Sequence, residues 1–288
     1  MMNLVGQEVG HYKLLRLLGR GRSARVYLGE HKYQQSYVAV KILGTQTTNT
    51  WKTRGRNEVS VLSNITHPHI VRMREYGTED NVHFLVMDLA TQGTLLDLLT
   101  QNVPISRVTT CVRQIASALQ YLHMRHIIHR DIKPANILIE LSGNVLLTDF
   151  ELAIDHRNCQ STVTTAYAAP EQTQGRPCPA SDQYALGVIV YQWLCGELPF
   201  RGTLNEIAVQ HRNVPPPPLR EKVPALPYAV EQVVLTALAK DPALRFPNIQ
   251  TFADILHKIC LNLLYLTPLQ NLEDSTAFVD TETGANPE

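Results

Sequence analysis

Two polar segments between apolar runs carry the side chains best suited to chemistry. The first reads His129-Arg130-Asp131-Ile132-Lys133-Pro134-Ala135-Asn136, and the second is Asp149-Phe150. An aspartate can accept a proton from a hydroxyl, a lysine can neutralise a phosphate, and carboxylate and amide oxygens together suit magnesium. Phosphoryl transfer depends mainly on positioning and charge cancellation. The order and spacing of these groups therefore favour phosphoryl transfer over two unrelated polar turns.

A glycine-containing segment and a lysine near the N-terminus could complete a phosphate site. Gly19–Val26 lies between two apolar runs, which predicts a strand, a turn and a strand whose small residues let backbone amides approach phosphates. An ordinary glycine hairpin fits this segment equally well, because Ala24 stands where a third glycine is usual. Lys41 follows apolar residues on a mostly buried strand and needs an anion there, for which Glu58 is the candidate. A solvated lysine and a surface glutamate are the alternative.

The elements that must position these groups fall into two regions. Short β-rich runs dominate from Tyr12 to Asp88, and helical periodicity dominates from Thr94 to Leu264. The strand-like runs are Val26–Leu28, Tyr37–Ile42 and Phe84–Met87, with one helical stretch at Arg56–Asn64; the later helices are Leu95–Thr100, Val108–His123, Tyr184–Cys195, Asn205–His211, Ala229–Ala239 and Asn248–Leu264. We therefore predict an α+β fold of two lobes, β-rich at the N-terminus and mainly helical at the C-terminus.

The lobes meet at Asp88–Gly93, a short polar segment that predicts a hinge rather than a flexible linker. We place an N-terminal extension at residues 1–10 and one domain at 11–265. Its N-lobe spans 11–88, its hinge 88–93 and its C-lobe 94–265. Residues 266–288 are acidic and contain Gly, Pro and Thr, so they predict a mobile tail.

Composition narrows the classes of function. The chain has 288 residues, 44% hydrophobic, and its 26 basic and 26 acidic residues balance. Nothing in this balance predicts binding to nucleic acid or to an anionic membrane. The five cysteines form no CxxC pair, so neither a zinc site nor a disulfide framework is indicated. The N-terminus shows no secretory signal pattern and no stretch is long enough to span a membrane, so we expect a cytoplasmic protein.

The motifs together resemble those of a eukaryotic-type protein kinase, in particular the bacterial serine/threonine branch. The resemblance covers roughly Tyr12 to Leu264 and keeps the motifs in the family's order. Downstream, Tyr167-Ala168-Ala169-Pro170-Glu171 is similar to the segment that closes the kinase activation loop. Small-molecule phosphotransferases share the lobes and the catalytic loop but generally lack this peptide-binding segment. The resemblance therefore favours a protein substrate.

The resemblance implies an ATP site between the lobes. Gly19 and Gly21 would belong to a loop over the phosphates, and Lys41 would hold the α- and β-phosphates while pairing with Glu58. The residues implied around adenine are Val26, Ala39, Met87, Asp88, Ala90 and Leu138. Hinge backbone groups would bind the base, and the apolar side chains would sandwich it.

The resemblance also implies roles in the transfer step. Asp131 would accept or orient the acceptor hydroxyl, and Lys133 would neutralise the γ-phosphate. Asn136 and Asp149 would hold magnesium, or manganese in its place.

Three charged residues of the C-lobe have implied structural roles. Glu171 would form a buried ion pair with Arg245. Asp182 would cap the following helix and brace the catalytic loop.

Arg130, directly before the catalytic aspartate, is typical of kinases controlled by activation-loop phosphorylation. Ser161 and Thr162 are candidate phosphosites, because a phosphate there could pair with Arg130. Thr164 matches the family's threonine that contacts the catalytic Asp and Lys. Together with Lys133 it favours serine or threonine acceptors over tyrosine. We expect autophosphorylation, which between two copies would involve a transient homodimer.

One position departs from the family. Glu151 follows Asp149-Phe150 where the family normally has glycine, so it should restrict backbone motion or add negative charge near the metal. The alternative function is thus a nucleotide-binding pseudokinase that acts as a scaffold. The metal- and nucleotide-contacting side chains are all present, which favours an active kinase.

Overall fold

A computed structural model describes residues 4–21, 24–43, 64–80, 82–90, 92–99, 103–149 and 165–276, with side chains up to residue 262. The N-terminal part is an antiparallel sheet of six strands in the order β1-β2-β3-β4-β6-β5. The strands are β1 (Glu8–Val9), β2 (Tyr12–Arg20), β3 (Ala24–His31), β4 (Tyr37–Leu43), β5 (Met73–Glu79) and β6 (Val82–Met87).

The two faces of this sheet differ because successive side chains of a strand point in opposite directions. One face forms a core in which Leu14, Tyr27, Val40 and Val86 are fully buried. The other face carries a second set of cross-strand neighbours: Val26 opposite Lys41, Leu28 opposite Ala39, and Ala39 opposite Met87. The register therefore places the predicted lysine and three predicted adenine-site residues on one face.

The C-terminal part is mainly helical. Its elements are α1 (Leu95–Leu99), α2 (Ile105–His123), β7 (Ile137–Ile139), β8 (Val145–Leu147), α3 (Pro170–Thr173), α4 (Pro179–Cys195), α5 (Leu204–Asn213), α6 (Tyr228–Ala237) and α7 (Ile249–Thr276). Strands β7 and β8 pair with each other, and Thr94 bridges to Leu138. The hairpin thereby places Leu138 beside the end of the hinge.

Helix α4 lies at the centre of this lobe. Its side chains are buried on all sides, as expected for a helix whose sequence is apolar all round. It ends at Gly196, whose φ of 79° is the left-handed conformation that glycine adopts without strain. The helix therefore offers a rigid frame for the segments before and after it.

The two-lobed α+β fold predicted from the sequence is confirmed. Two helices differ most from their predicted ends. Helix α4 begins at Pro179, five residues before the predicted Tyr184, because its polar first turn is buried by specific contacts. Helix α7 continues to Thr276, into the segment for which composition predicts a tail. Within the described part of the chain, no helix is both long and apolar enough to cross a bilayer.

Candidate active site

The loop between α2 and β7 brings two side chains onto the carboxylate of Asp131. Lys133 Nζ lies 2.6 Å from Asp131 Oδ2, and Asn136 Nδ2 lies 2.9 Å from the same oxygen. Asn136 Nδ2 also donates to the Asp131 carbonyl at 2.8 Å. A short 3-10 turn over Pro134–Asn136 reverses the chain and makes this return possible. Because the amide nitrogen faces Asp131, the amide oxygen is the Asn136 atom suited to a cation.

Asp182 holds the start of this loop from α4. Its carboxylate accepts from the backbone amides of His129 and Arg130, each at 2.9 Å, and lies 2.7 Å from His123 Nε2. Burial works most strongly against ionisation, but these hydrogen bonds, His123 first, hold the pKa of Asp182 below its ordinary value. An ionised carboxylate therefore braces the loop.

The capping role predicted for Asp182 is wrong. The N-cap of α4 is Cys178, which pairs reciprocally with Ser181. Asp182 lies one residue further into the helix, where its carboxylate is committed to the catalytic loop.

Arg130 adopts an uncommon backbone conformation, with a φ of 68°. Asp182 fixes its amide, and Gln172 Nε2 donates to its carbonyl at 2.5 Å. Strain of this kind costs about 1–3 kcal/mol and persists only where surrounding contacts over-determine it. These contacts orient the chain immediately before Asp131.

Lys41 reaches from the N-lobe to Asp149 in the C-lobe. Its Nζ lies 2.5 Å from Asp149 Oδ1, and its side chain is 7% exposed. Burial opposes the ionisation of Asp149 most strongly, yet Lys41, with smaller contributions from His129 and Lys133, holds the pKa of this carboxyl below its ordinary value. The carboxylate is thus ionised and available to a cation.

Asp149 is tied to the catalytic loop through its neighbour Thr148. The Thr148 amide donates to the Asn136 carbonyl at 3.0 Å, and the Thr148 carbonyl lies 2.9 Å from His129 Nε2. Lys41, Asp131, Asn136 and Asp149 therefore form one connected cluster, as the sequence predicts. Glu58, the predicted partner of Lys41, lies outside the described residues.

The residues predicted to bind the nucleotide lie next to this cluster. Gly19 pairs with Val26 across β2 and β3, and the Gly21 amide donates to the Ala24 carbonyl at 2.9 Å. The hinge begins at Asp88, whose amide donates to the Arg72 carbonyl at 3.0 Å. Asp88 also forms an ion pair with Arg74 of β5, and Ala90 follows it within the hinge. These contacts fix the start of the hinge to β5 of the N-lobe.

The residues present fit a magnesium-bound nucleotide. The carboxylate of Asp149 and the amide oxygen of Asn136 are hard oxygen donors of the kind that magnesium accepts. Lys41 contacts Asp149 and Lys133 contacts Asp131, so the site also carries positive charge, which suits a triphosphate.

A buried ion pair anchors the C-terminal end of the segment 167–171. Glu171 Oε1 and Oε2 lie 2.8 and 2.9 Å from Arg245 Nη1 and Nη2, and the Arg245 side chain is fully buried. Burial opposes ionisation most strongly, but the Arg245 hydrogen bonds and charge hold the pKa of Glu171 below its ordinary value. Ser181 Oγ also donates to Glu171, at 2.7 Å. The ion pair fixes this segment to Arg245, and the Ser181 hydrogen bond fixes it to the start of α4.

Several positioning residues were missed from the sequence. These are His123, His129 and Gln172, which hold the catalytic loop, and Gln192 and His211, which contact 165–167. Of these residues, only His129 could have been found from the sequence, because it lies in the same motif as Asp131. Ser161, Thr162, Thr164 and Glu151 lie outside the described residues.

Comparison with known proteins agrees with this arrangement. A family model described as "Protein kinase domain" matches residues 12–258. The chain is 36% identical over 266 residues to the serine/threonine-protein kinase PrkC of Bacillus subtilis, and 37% identical over 268 residues to Pkn1 of Myxococcus xanthus. Each alignment covers 88% of this chain but only 41% and 39% of the relatives. The chain thus spans about two fifths of the length of these proteins.

A solved structure shows the same fold. The Mycobacterium tuberculosis PknI kinase domain matches with a TM-score of 0.73 at 27% identity, over 89% of this chain and 99% of that one. The chain belongs to the protein kinase domain family.

Proposed function

We propose that this chain is a serine/threonine protein kinase that transfers the γ-phosphoryl group of ATP to a hydroxyl of a protein. The observation that carries the proposal is the cluster in which Lys41 contacts Asp149 while Lys133 and Asn136 contact Asp131. The names of the relatives, which are bacterial serine/threonine kinases, support the same acceptor class.

The roles of the residues follow from their contacts. Asp131 would orient the acceptor hydroxyl and take its proton, since its carboxylate is held by two donors at the centre of the loop. Lys133 would offset charge on the transferred group, and Lys41 would hold the phosphates nearer the N-lobe. Asn136 and Asp149 would hold magnesium, which when bound offsets the negative charge of the phosphates.

The segment 167–171 supports a protein acceptor over a small molecule. It is anchored at its end by the buried pair of Glu171 and Arg245, and Ala168 and Ala169 are buried as well, so it is held rigidly beside the catalytic loop. Gln172, the next residue, bonds directly to the Arg130 carbonyl. An acceptor held beside this segment would therefore be aligned with Asp131.

Regulation by phosphorylation is part of the proposal. Ser161 or Thr162 would be phosphorylated by a second copy of the chain, and the phosphate would pair with Arg130. The pseudokinase alternative depends on Glu151, which lies outside the described residues.

The test is phosphate incorporation from radiolabelled ATP with magnesium, and separately with manganese. Wild type should label itself and casein, and Asp131→Asn should lower the rate by at least about 10²-fold. Phosphopeptide mapping should find the label at Ser161 or Thr162. If only Glu151→Gly transfers phosphate, the scaffold function replaces this one.

A further inference from the structure

The turn that leads into residues 167–171, the proposed acceptor-binding segment, is held by side chains of two helices. A 3-10 turn over Thr165–Tyr167 leads directly into that segment. Tyr167 donates its hydroxyl to Gln192 Oε1 on α4 at 2.7 Å. From α5, His211 Nε2 lies 3.1 Å from the Ala166 carbonyl. A backbone carbonyl of the turn is thus held by a histidine that lies 45 positions further along the chain.

The surroundings of His211 determine its tautomer. A carbonyl can only accept, so Nε2 must carry the hydrogen that it donates to Ala166. Nδ1 is then the acceptor, and the Tyr184 hydroxyl, 2.9 Å away, donates to it. The ring is 1% exposed and packs edge-on against Phe200 and Tyr184. His211 is therefore fixed in both orientation and hydrogen-bonding direction.

Lys240 completes the network, and burial together with its charge keeps the His211 ring neutral. Its Nζ lies 3.5 Å from the Tyr184 hydroxyl, 3.3 Å from the Gln210 carbonyl and 4.6 Å from the centre of the Phe200 ring. Burial, followed by the charge of Lys240, lowers the pKa of His211 to about 4. Hydrogen bonds therefore run in one direction, from Lys240 through Tyr184 and His211 to Ala166.

We propose that His211 is a positioning residue for the protein acceptor, because its hydrogen bond to Ala166 fixes the turn that leads into the acceptor-binding segment. The inference rests on the proposed function, since it assumes that a protein acceptor binds beside residues 167–171. His211 contacts this turn and the C-lobe core, so its effect should fall on acceptor binding and not on ATP binding.

Three variants test the role. His211→Phe keeps a ring but leaves the Ala166 carbonyl without its donor, so the KM for casein should rise by about tenfold while the KM for ATP stays within about twofold. His211→Gln retains an N–H of similar reach and should recover most of the wild-type KM. Arg212→Gln, an exposed neighbour on α5, is the matched control and should leave both constants unchanged.

Hydrogen exchange of the amides at 165–169 provides a readout that needs no activity. His211→Phe should speed their exchange by about tenfold, and His211→Gln should restore it. The inference is overturned if exchange is unaltered in His211→Phe, if the two variants are equally impaired, or if both KM values rise together. If wild type phosphorylates no protein while exchange responds as expected, the proposed kinase function fails and the anchoring of the turn stands.

Discussion

Asp182 and Arg130 are joined by a hydrogen bond of 2.9 Å from the Arg130 amide to the Asp182 carboxylate, across 52 positions of sequence. The same carboxylate bonds to the preceding amide of His129. Two consecutive peptide groups are therefore oriented by one buried side chain from the central helix. This contact holds Arg130 in its left-handed conformation and so sets the direction from which Asp131 enters the site.

We expect Asp182→Ala to lower both activity and stability. It would leave two backbone amides and His123 without their acceptor in a buried site, at a cost of about 2–4 kcal/mol. Urea unfolding and the kcat of casein phosphorylation measure the two effects. Asp254→Ala removes an exposed carboxylate paired with Arg113 and should cost no more than about 1 kcal/mol. Equal losses in the two variants would contradict the bracing role.

Lys41→Met should abolish transfer without unfolding the protein. It removes the positive charge beside Asp149, so phosphate binding is lost and the pKa of Asp149 should rise. We expect at least about a 10²-fold fall in kcat/KM, measured with radiolabelled ATP. Lys32→Met, which alters a lysine of the same lobe paired with Glu8, should retain activity. Full turnover by Lys41→Met would rule out the proposed role.

The buried pair of Glu171 and Arg245 should be strongly coupled. Glu171→Gln leaves the Arg245 charge buried with reduced compensation, and we expect it to lower the free energy of unfolding by about 3–5 kcal/mol. Replacing both residues, as Glu171→Gln with Arg245→Met, should cost less than the sum of the single changes. Urea unfolding of the four proteins measures this coupling. Strict additivity would show that the pair is not an energetic unit.

The cluster proposed to be catalytic could be predicted from the sequence because its members stand close together in recognisable motifs. Asp131, Lys133 and Asn136 share one loop, so their spacing carries the information. The start of α4 could not be predicted in this way. The start of the helix, which includes Ser181, Asp182 and Gln183, is polar yet buried. The periodicity of apolar residues therefore indicates only the later part of the helix.

Strand β5 was missed for a related reason. Met73–Glu79 lies at the edge of the sheet, where a strand can carry exposed charged residues and loses its alternating pattern. His211 was missed because its partners come from elements far apart in sequence. The hydrogen bonds to Tyr184 and Ala166 appear only when α4, α5 and the turn at 165–167 pack together.

The neutral His211 should make the protein less stable in acid. Its pKa is lowered from 6.5 to about 4 in the folded state, so between these values the unfolded chain binds a proton that the folded chain does not. Stability from this group is therefore present above pH 6.5 and is lost as the pH falls toward 4. Lys240 faces the ring directly, and Arg245 and Glu171 act on its partner Tyr184.

The comparison that isolates this effect is wild type against His211→Gln, whose side chain does not titrate. The stability advantage of wild type in urea unfolding should shrink by about 2 kcal/mol between pH 7 and pH 5. Carboxylates with lowered pKa values, such as Asp149, Asp182 and Glu171, also weaken the fold in acid, but they do so equally in both proteins. A constant difference between the two proteins across this range would mean that His211 is not held neutral by its burial beside Lys240.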